Sequence, residues 1–220
     1  MKKVVIFGTG EFAQVASVYL RCDSAYEVAA FTVDPEHRDA KTLQGLDVVS
    51  FADLERTHPP DRYAMFVAIG FSKLNRARAQ VFERCKACGY ELISYINSKA
   101  IHWGEFSMGE NCFIFENNVI QPFVKIGHDV ILWSGNHIGH HVTIGDHCFV
   151  TSQVVLSGGV SVGSYSFVGV NATVRDHVTI APSCVIGAGA LILEDTREAG
   201  VYATKGTEAS PVPSHRLRGF

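Results

Sequence analysis

The chain has 220 residues, 47% of them hydrophobic and 19% charged, and its 20 glycines point to a turn-rich globular protein. Nineteen basic and 22 acidic residues leave a net charge of −3, without the basic footprint of a nucleic-acid binder. No apolar run is long enough to span a membrane, and the opening MKKVVIFGTGEF turns polar too soon for a signal core, so a cytoplasmic protein that begins with a β-strand is expected.

Residues 1–97 alternate strand-like and helix-like segments. The apolar run Lys3–Phe7 reads as a strand and Thr9–Arg21 as a helix. Val28–Val33 and Tyr63–Ile69 are further strands, a helix runs from Ser72 to about Cys88, and a last strand covers Leu92–Ile96. Alternation of this kind predicts a parallel sheet with helices on its faces, a small α/β domain resembling half of a Rossmann fold. Gly8-Thr9-Gly10-Glu11-Phe12-Ala13 follows the first strand and fits the phosphate-binding pattern G-x-G-x-x-G/A. Asp34 ends the second strand, where an acid often meets a ribose or base. A dinucleotide oxidoreductase shares this signature, but about 95 residues make only one mononucleotide-binding half. Cys85 and Cys88 form a CxxC without a second pair nearby and read as packing residues on a helix.

Residues 98–220 are expected to form a second domain with a C-terminal tail, and their pattern is different. From Met108, every sixth residue is aliphatic: Ile114, Ile120, Ile126 and so on to Ile192, fifteen positions out of fifteen. Chance would give such a run about once in 10⁵ trials. Glycine follows the aliphatic seven times, and Cys112, Cys148 and Cys184, spaced 36 apart, fall in one column of the repeat. A period of six fits a parallel β-helix: each hexapeptide makes one short strand and one bend, and three of them close an 18-residue triangular coil. Successive coils then stack about 4.8 Å apart.

That stacking makes residues 18 apart into neighbours. Histidines crowd the stretch ILWSGNHIGHHVTIGDHCF, at 137, 140, 141 and 147. His140 falls on a bend, and Gly158 lies one coil further on the same edge. A histidine beside an accessible glycine N–H suits acyl transfer, which needs a base for the attacking group and a donor for the developing oxyanion. A surface histidine on a repeat bend is the plainer reading, and His137 and His147 read as solvated side chains. Asn136, with Asn118 one coil below it, is either a partner that orients His140 or part of a stacked asparagine ladder.

The segments HHVTIGDHCFVTSQVVLSGGVSVG, FVGVNATV and VIGAGALIL resemble bacterial sugar acyltransferases, the sialic-acid O-acetyltransferases and nucleotide-amino-sugar N-acetyltransferases. The resemblance spans nearly the whole chain. It implies a left-handed β-helix, a homotrimer, acetyl-CoA as cosubstrate and a nucleotide-linked amino deoxy sugar as acceptor. It also implies roles for particular residues. His140 is the general base and Gly158 binds the thioester oxygen. The coenzyme touches the bends at Gly169, Val170, Asn171, Gly187 and Ala188. The N-terminal half holds the nucleotide near Gly8, Gly10, Glu11, Phe12, Asp34, Gly70 and Ser72. Two positions depart from the family pattern. His141 stands where many relatives carry an acidic residue that orients the base, and Phe149 where some carry a second histidine.

Three other functions compete. O-acetylation of a sugar hydroxyl uses the same motifs. A metal hydratase like the γ-type carbonic anhydrases has two histidines spaced as His141 and His177 are, but its third falls on Pro182. A scaffold without catalysis leaves the histidine cluster unexplained.

Overall fold

The computed structural model describes residues 2–217; residues 1 and 218–220, the outer ends of the two expected halves, lie outside that range. The N-terminal half is a five-stranded sheet. Its strands are β1 (Lys2–Phe7), β2 (Tyr26–Val33), β3 (Thr42–Leu43), β4 (Leu46–Ser50) and β5 (Tyr63–Val67), in the order β3-β4-β2-β1-β5. All pairings are parallel except β3 with β4. Helices α1 (Glu11–Cys22), α2 (Phe51–Thr57) and α3 (Arg76–Ala87) connect or flank them. The hairpin-like β3–β4 pair and α2 are additions to the elements expected from sequence. Among the described residues no helix is long and apolar enough to cross a membrane.

The strand expected at Leu92–Ile96 is divided between the two halves. Leu92 bridges Met65 of β5, whereas Tyr95–Ile96 pairs with Phe113–Ile114 and starts the coil. The solenoid therefore begins two hexapeptides before the unbroken aliphatic run. From there the chain forms two-residue strands, all parallel, each paired with the strand 18 residues on up to Leu191–Ile192. They make three flat faces of seven, six and five strands. From Ser107–Met108 onward the second residue of each strand points in and the first points out. The inward residues, with Cys112, Cys148 and Cys184, form one continuous buried core. Burial pushes the thiols of Cys112 and Cys148 up to about 12, as expected of packed rather than reactive cysteines.

The outward residues give each face its character. On the seven-stranded face they are Tyr95, Phe113, Ile131, Phe149, Phe167 and beyond, and the first four are buried. The N-terminal half covers them: α1 and one side of its sheet share an apolar cluster with Phe113, Phe115, Ile131 and Phe149. The five-stranded face presents Ser107, Lys125, Thr143, Ser161 and Thr179, which suit water. The six-stranded face presents Ile101, Val119, His137, Val155, Thr173 and Leu191. Among the described residues nothing covers this last face, and Ile101 and Leu191 are 53% and 63% exposed.

The two halves are also joined by a buried polar network. Arg78 on α3 is fully buried; its Nε donates to Asp129 Oδ1 at 2.9 Å, and Nη2 donates to the carbonyls of Asp129 and Cys148 at 3.0 and 3.2 Å. Asn111 Nδ2 donates to the same carboxylate at 2.8 Å, and His147 Nδ1 lies 2.9 Å from its other oxygen. Burying a charge is costly unless it is paired and hydrogen-bonded, and both carboxylate oxygens of Asp129 have partners.

Candidate functional site

His140 and Gly158 sit on the edge between the six-stranded and five-stranded faces, one coil apart. They touch as the 18-residue register requires. A Cβ on Gly158 would lie 2.5 Å from Cε1 and 2.7 Å from Nε2 of His140, so only glycine leaves room for the imidazole. The backbone is tied in place by Gly159 N–H donating to His140 O at 2.8 Å and by His140 N–H donating to Gln121 Oε1 at 2.8 Å. Among the described residues, no acceptor pairs with the N–H of Gly158. A second imidazole, that of His177, packs against Gly159 from the following coil. Gln121 and His177 were not singled out for this edge from sequence, although the register that pairs His140 with Gly158 also pairs His177 with Gly159.

His140 Nδ1 lies 3.2 Å from His141 Nδ1, so one ring nitrogen donates to the other. His141, which stands where the family resemblance leads to an acidic residue, is thus in contact with the His140 ring. The ring of Phe123, one coil earlier, rests 4.8 Å from that of His141.

Three expectations are corrected here. Asn136 does not orient His140: its Nδ2 donates to Trp133 O at 2.6 Å and its Oδ1 accepts from Val154 N–H at 2.8 Å, deep in the coil. Asn118 Nδ2 donates to the same Trp133 carbonyl at 2.9 Å, so the two asparagines form a ladder. His147 is not solvated but buried against Asp129. Phe12 does not face a ligand; its ring packs about 6 Å from Phe66, Phe113 and Trp133, joining α1 to the covered face of the solenoid.

The five bend residues expected to touch the coenzyme share one edge. Gly169, Val170, Asn171, Gly187 and Ala188 lie between the seven-stranded and six-stranded faces. His140 and Gly158 lie on the other side of the six-stranded face. The exposed apolar face therefore separates the two groups within one chain.

In the N-terminal half, Gly8 follows β1 and Gly70 lies just beyond β5, at the same end of two neighbouring parallel strands. Gly8 has φ +122°, and a Cβ there would meet Ala68 O at 2.8 Å. Gly10 and Glu11, exposed, open α1 beside it, and Ser72 is exposed beyond Gly70. Strand order reverses between β2 and β5 around β1, the point at which open α/β sheets bind ligands. Asp34 is already engaged: its carboxylate takes two hydrogen bonds from Arg84, at 2.9 and 2.5 Å, and they hold its pKa below the usual carboxylate value. Two residues 50 apart on different elements give no local signal of this pairing. Among the described residues, no group of three or more histidine, cysteine or acidic side chains is placed to hold a metal ion.

Comparisons with known proteins cover both halves. The family model described as "PglD N-terminal domain" matches residues 3–85, and that described as "Bacterial transferase hexapeptide (six repeats)" matches residues 124–158. No curated protein sequence matches significantly. Among solved structures, PerB from Caulobacter crescentus, in complex with CoA and GDP-perosamine, is 28% identical with a TM-score of 0.82, covering 93% of this chain and 95% of that one. A variant of perosamine N-acetyltransferase from the same organism, with the same two molecules, is 27% identical with a TM-score of 0.83, covering 94% and 98%. The acetyltransferase domain of PglB from Neisseria gonorrhoeae FA1090, in complex with acetyl coenzyme A, shares the fold at 22% identity and a TM-score of 0.83, covering 92% and 96%. The solenoid is a left-handed parallel β-helix of hexapeptide repeats. With one family model on each half and these structures along nearly its whole length, the chain belongs to the sugar acyltransferases that join a PglD-type N-terminal domain to a hexapeptide-repeat β-helix.

Proposed function

We propose that the protein transfers an acetyl group from acetyl-CoA to the amine of a nucleotide-linked amino deoxy sugar. The observation that carries this reading is His140 packed on Gly158, in a chain that aligns end to end with an enzyme holding CoA and GDP-perosamine. With the proton on Nδ1 directed at His141, His140 Nε2 keeps its lone pair and takes the proton that the sugar amine loses as it attacks the thioester carbon. The unpaired N–H of Gly158 donates to the carbonyl oxygen as negative charge builds there. The C–S bond then breaks, and His140 returns the proton it took from the amine to the sulfur, which leaves as the thiol of CoA. The absence of side chains at Gly158 and Gly159 leaves the backbone open to the thioester.

The nucleotide of the acceptor is assigned to the region of Gly8, Gly10, Glu11, Gly70 and Ser72, with Asp34 acting through its pair with Arg84. The acetyl donor is assigned to Gly158 and to the bends at Gly169–Asn171 and Gly187–Ala188. These groups flank the uncovered apolar face, and an exposed stripe of this kind is normally buried by a partner. A homotrimer in which each copy covers that face of a neighbour would bring the two edges together at a subunit junction. A cytoplasmic location suits both substrates. The test is thiol release from acetyl-CoA with UDP-, dTDP- and GDP-linked amino sugars and with their hydroxyl counterparts. Turnover only with hydroxyl acceptors would move the assignment to O-acetylation.

A further inference from the structure

We infer that Phe123 reads the sugar of the acceptor, packing its ring on an apolar, deoxy face of that sugar. The inference rests on the assignment of His140 as the base.

Phe123, His141, Gly159 and His177 form one column along the edge, 18 residues apart. The Phe123 backbone is held by its N–H donating to Glu105 O at 2.6 Å, and one side of its ring rests on His141 at 4.8 Å. The side chain is nevertheless 52% exposed. An aromatic ring held this way, next to the imidazole that orients the base, offers solvent a flat apolar surface at the reaction centre. Beside it opens a cavity of about 340 Å³, lined among others by Gly104, Glu105, Phe106 and Lys125. That volume lies in the range of small-ligand sites.

Direction along the solenoid decides which substrate meets this surface. The bends assigned to the acetyl donor, Gly169–Asn171 and Gly187–Ala188, follow Gly158 toward the C-terminal end. Phe123 precedes His140 by one coil, on the side left for the acceptor. The face of an aromatic ring attracts the C–H bonds of a sugar and gives no hydrogen bond to a hydroxyl. A methyl group at C6 would gain from this contact, whereas a hydroxymethyl group would lose water there. Apolar surfaces discriminate by modest factors, roughly 10–200-fold.

The experiment uses two nucleotide-linked amino sugars that are identical except for CH₃ or CH₂OH at C6, on the nucleotide that the wild-type enzyme prefers. The kcat/KM for each, and the KM for acetyl-CoA, are measured for wild type, Phe123→Leu and Phe123→Ala, with oligomeric mass and circular dichroism as checks on folding. Wild type should favour the methyl sugar by roughly 10-fold or more. Phe123→Ala should lose most of that preference through the acceptor KM, with the KM for acetyl-CoA unchanged, and Phe123→Leu should fall between. An equal loss for both sugars, carried by kcat with the preference intact, would mean that the ring only supports His141 and would overturn the inference. Wild type that prefers the hydroxymethyl sugar would overturn it too. Wild type that acetylates neither sugar, nor any amino sugar of the wider panel, would instead overturn the acetyltransferase reading on which the inference stands.

Discussion

The imidazole of His140 occupies the space that any side chain at residue 158 would need, with Nε2 2.7 Å from the position of a Cβ. The glycine thus keeps the ring in place and also leaves its own N–H unpaired beside it.

Gly158→Ala should therefore damage the site twice, by pushing His140 aside and by crowding the thioester. The expected result is a loss of roughly 10²–10³-fold in kcat, the usual worth of one oxyanion donor. Thermal stability should change little, because residue 158 lies on a bend outside the core. Steady-state kinetics and a melting curve on the same preparation check both parts.

Arg78 and Asp129 form a fully buried ion pair between the halves, 51 residues apart in sequence. Removing one partner leaves a buried charge uncompensated, so Arg78→Met should destabilise the protein by about 3–5 kcal/mol. The double variant Arg78→Met with Asp129→Leu should recover part of that loss. Denaturant unfolding of wild type, the two single variants and the double variant measures it, and additive losses in the double variant would show that the pair is not coupled.

Asp34 has its pKa lowered from 3.8, chiefly by hydrogen bonds from Arg84. A carboxyl group whose pKa falls on folding adds stability above its unfolded value, and that stability is lost as the pH drops through the folded value. The contribution of the Asp34–Arg84 pair should therefore be complete at neutral pH and fade below about pH 4. Asp34→Asn should show a weaker dependence of the melting temperature on pH across that acid range than wild type. If the pair also shapes the nucleotide site, Asp34→Asn should weaken nucleotide-sugar binding and leave acetyl-CoA binding unchanged, which calorimetric titration with each ligand checks.

Val155 stands in the middle of the uncovered apolar face. In a trimer closed over that face, Val155→Glu should yield smaller species by light scattering and lose most of the activity. A variant that keeps both the wild-type mass and its turnover would place the interface elsewhere.

The six-residue period alone was enough to pair His140 with Gly158 and to put Cys112, Cys148 and Cys184 inside the coil, because it fixes which residues face in and which stack. It is silent on what lies against the outside. The burial of His147 and the inward packing of Phe12 depend on α1 and α3 docking on the solenoid, and neither leaves a periodic trace. One signal was present: the outward residues Phe113, Ile131, Phe149 and Phe167 are all apolar, on a face that would otherwise meet water. Asn136 was legible only as one of two alternatives, since an inward asparagine can support a ladder or a catalytic ring, and its hydrogen bonds to Trp133 and Val154 settle which. The β3–β4 pair and α2 were missed because Thr42–Leu43 is too short for a strand pattern and Phe51–Thr57 is under two helical turns.

The central claim is that His140 is the base and His141 its orienting partner, and the most direct measurement is acetyl transfer by His140→Ala and His141→Ala. His140→Ala should remain folded, bind acetyl-CoA nearly as wild type does, and lose roughly 10²–10⁴-fold in kcat. His141→Ala should also lose turnover, but less, because His140 remains with a disordered ring. A folded His140→Ala protein that keeps most of its activity would contradict the account, and His141→Ala at the wild-type rate would remove the orienting role.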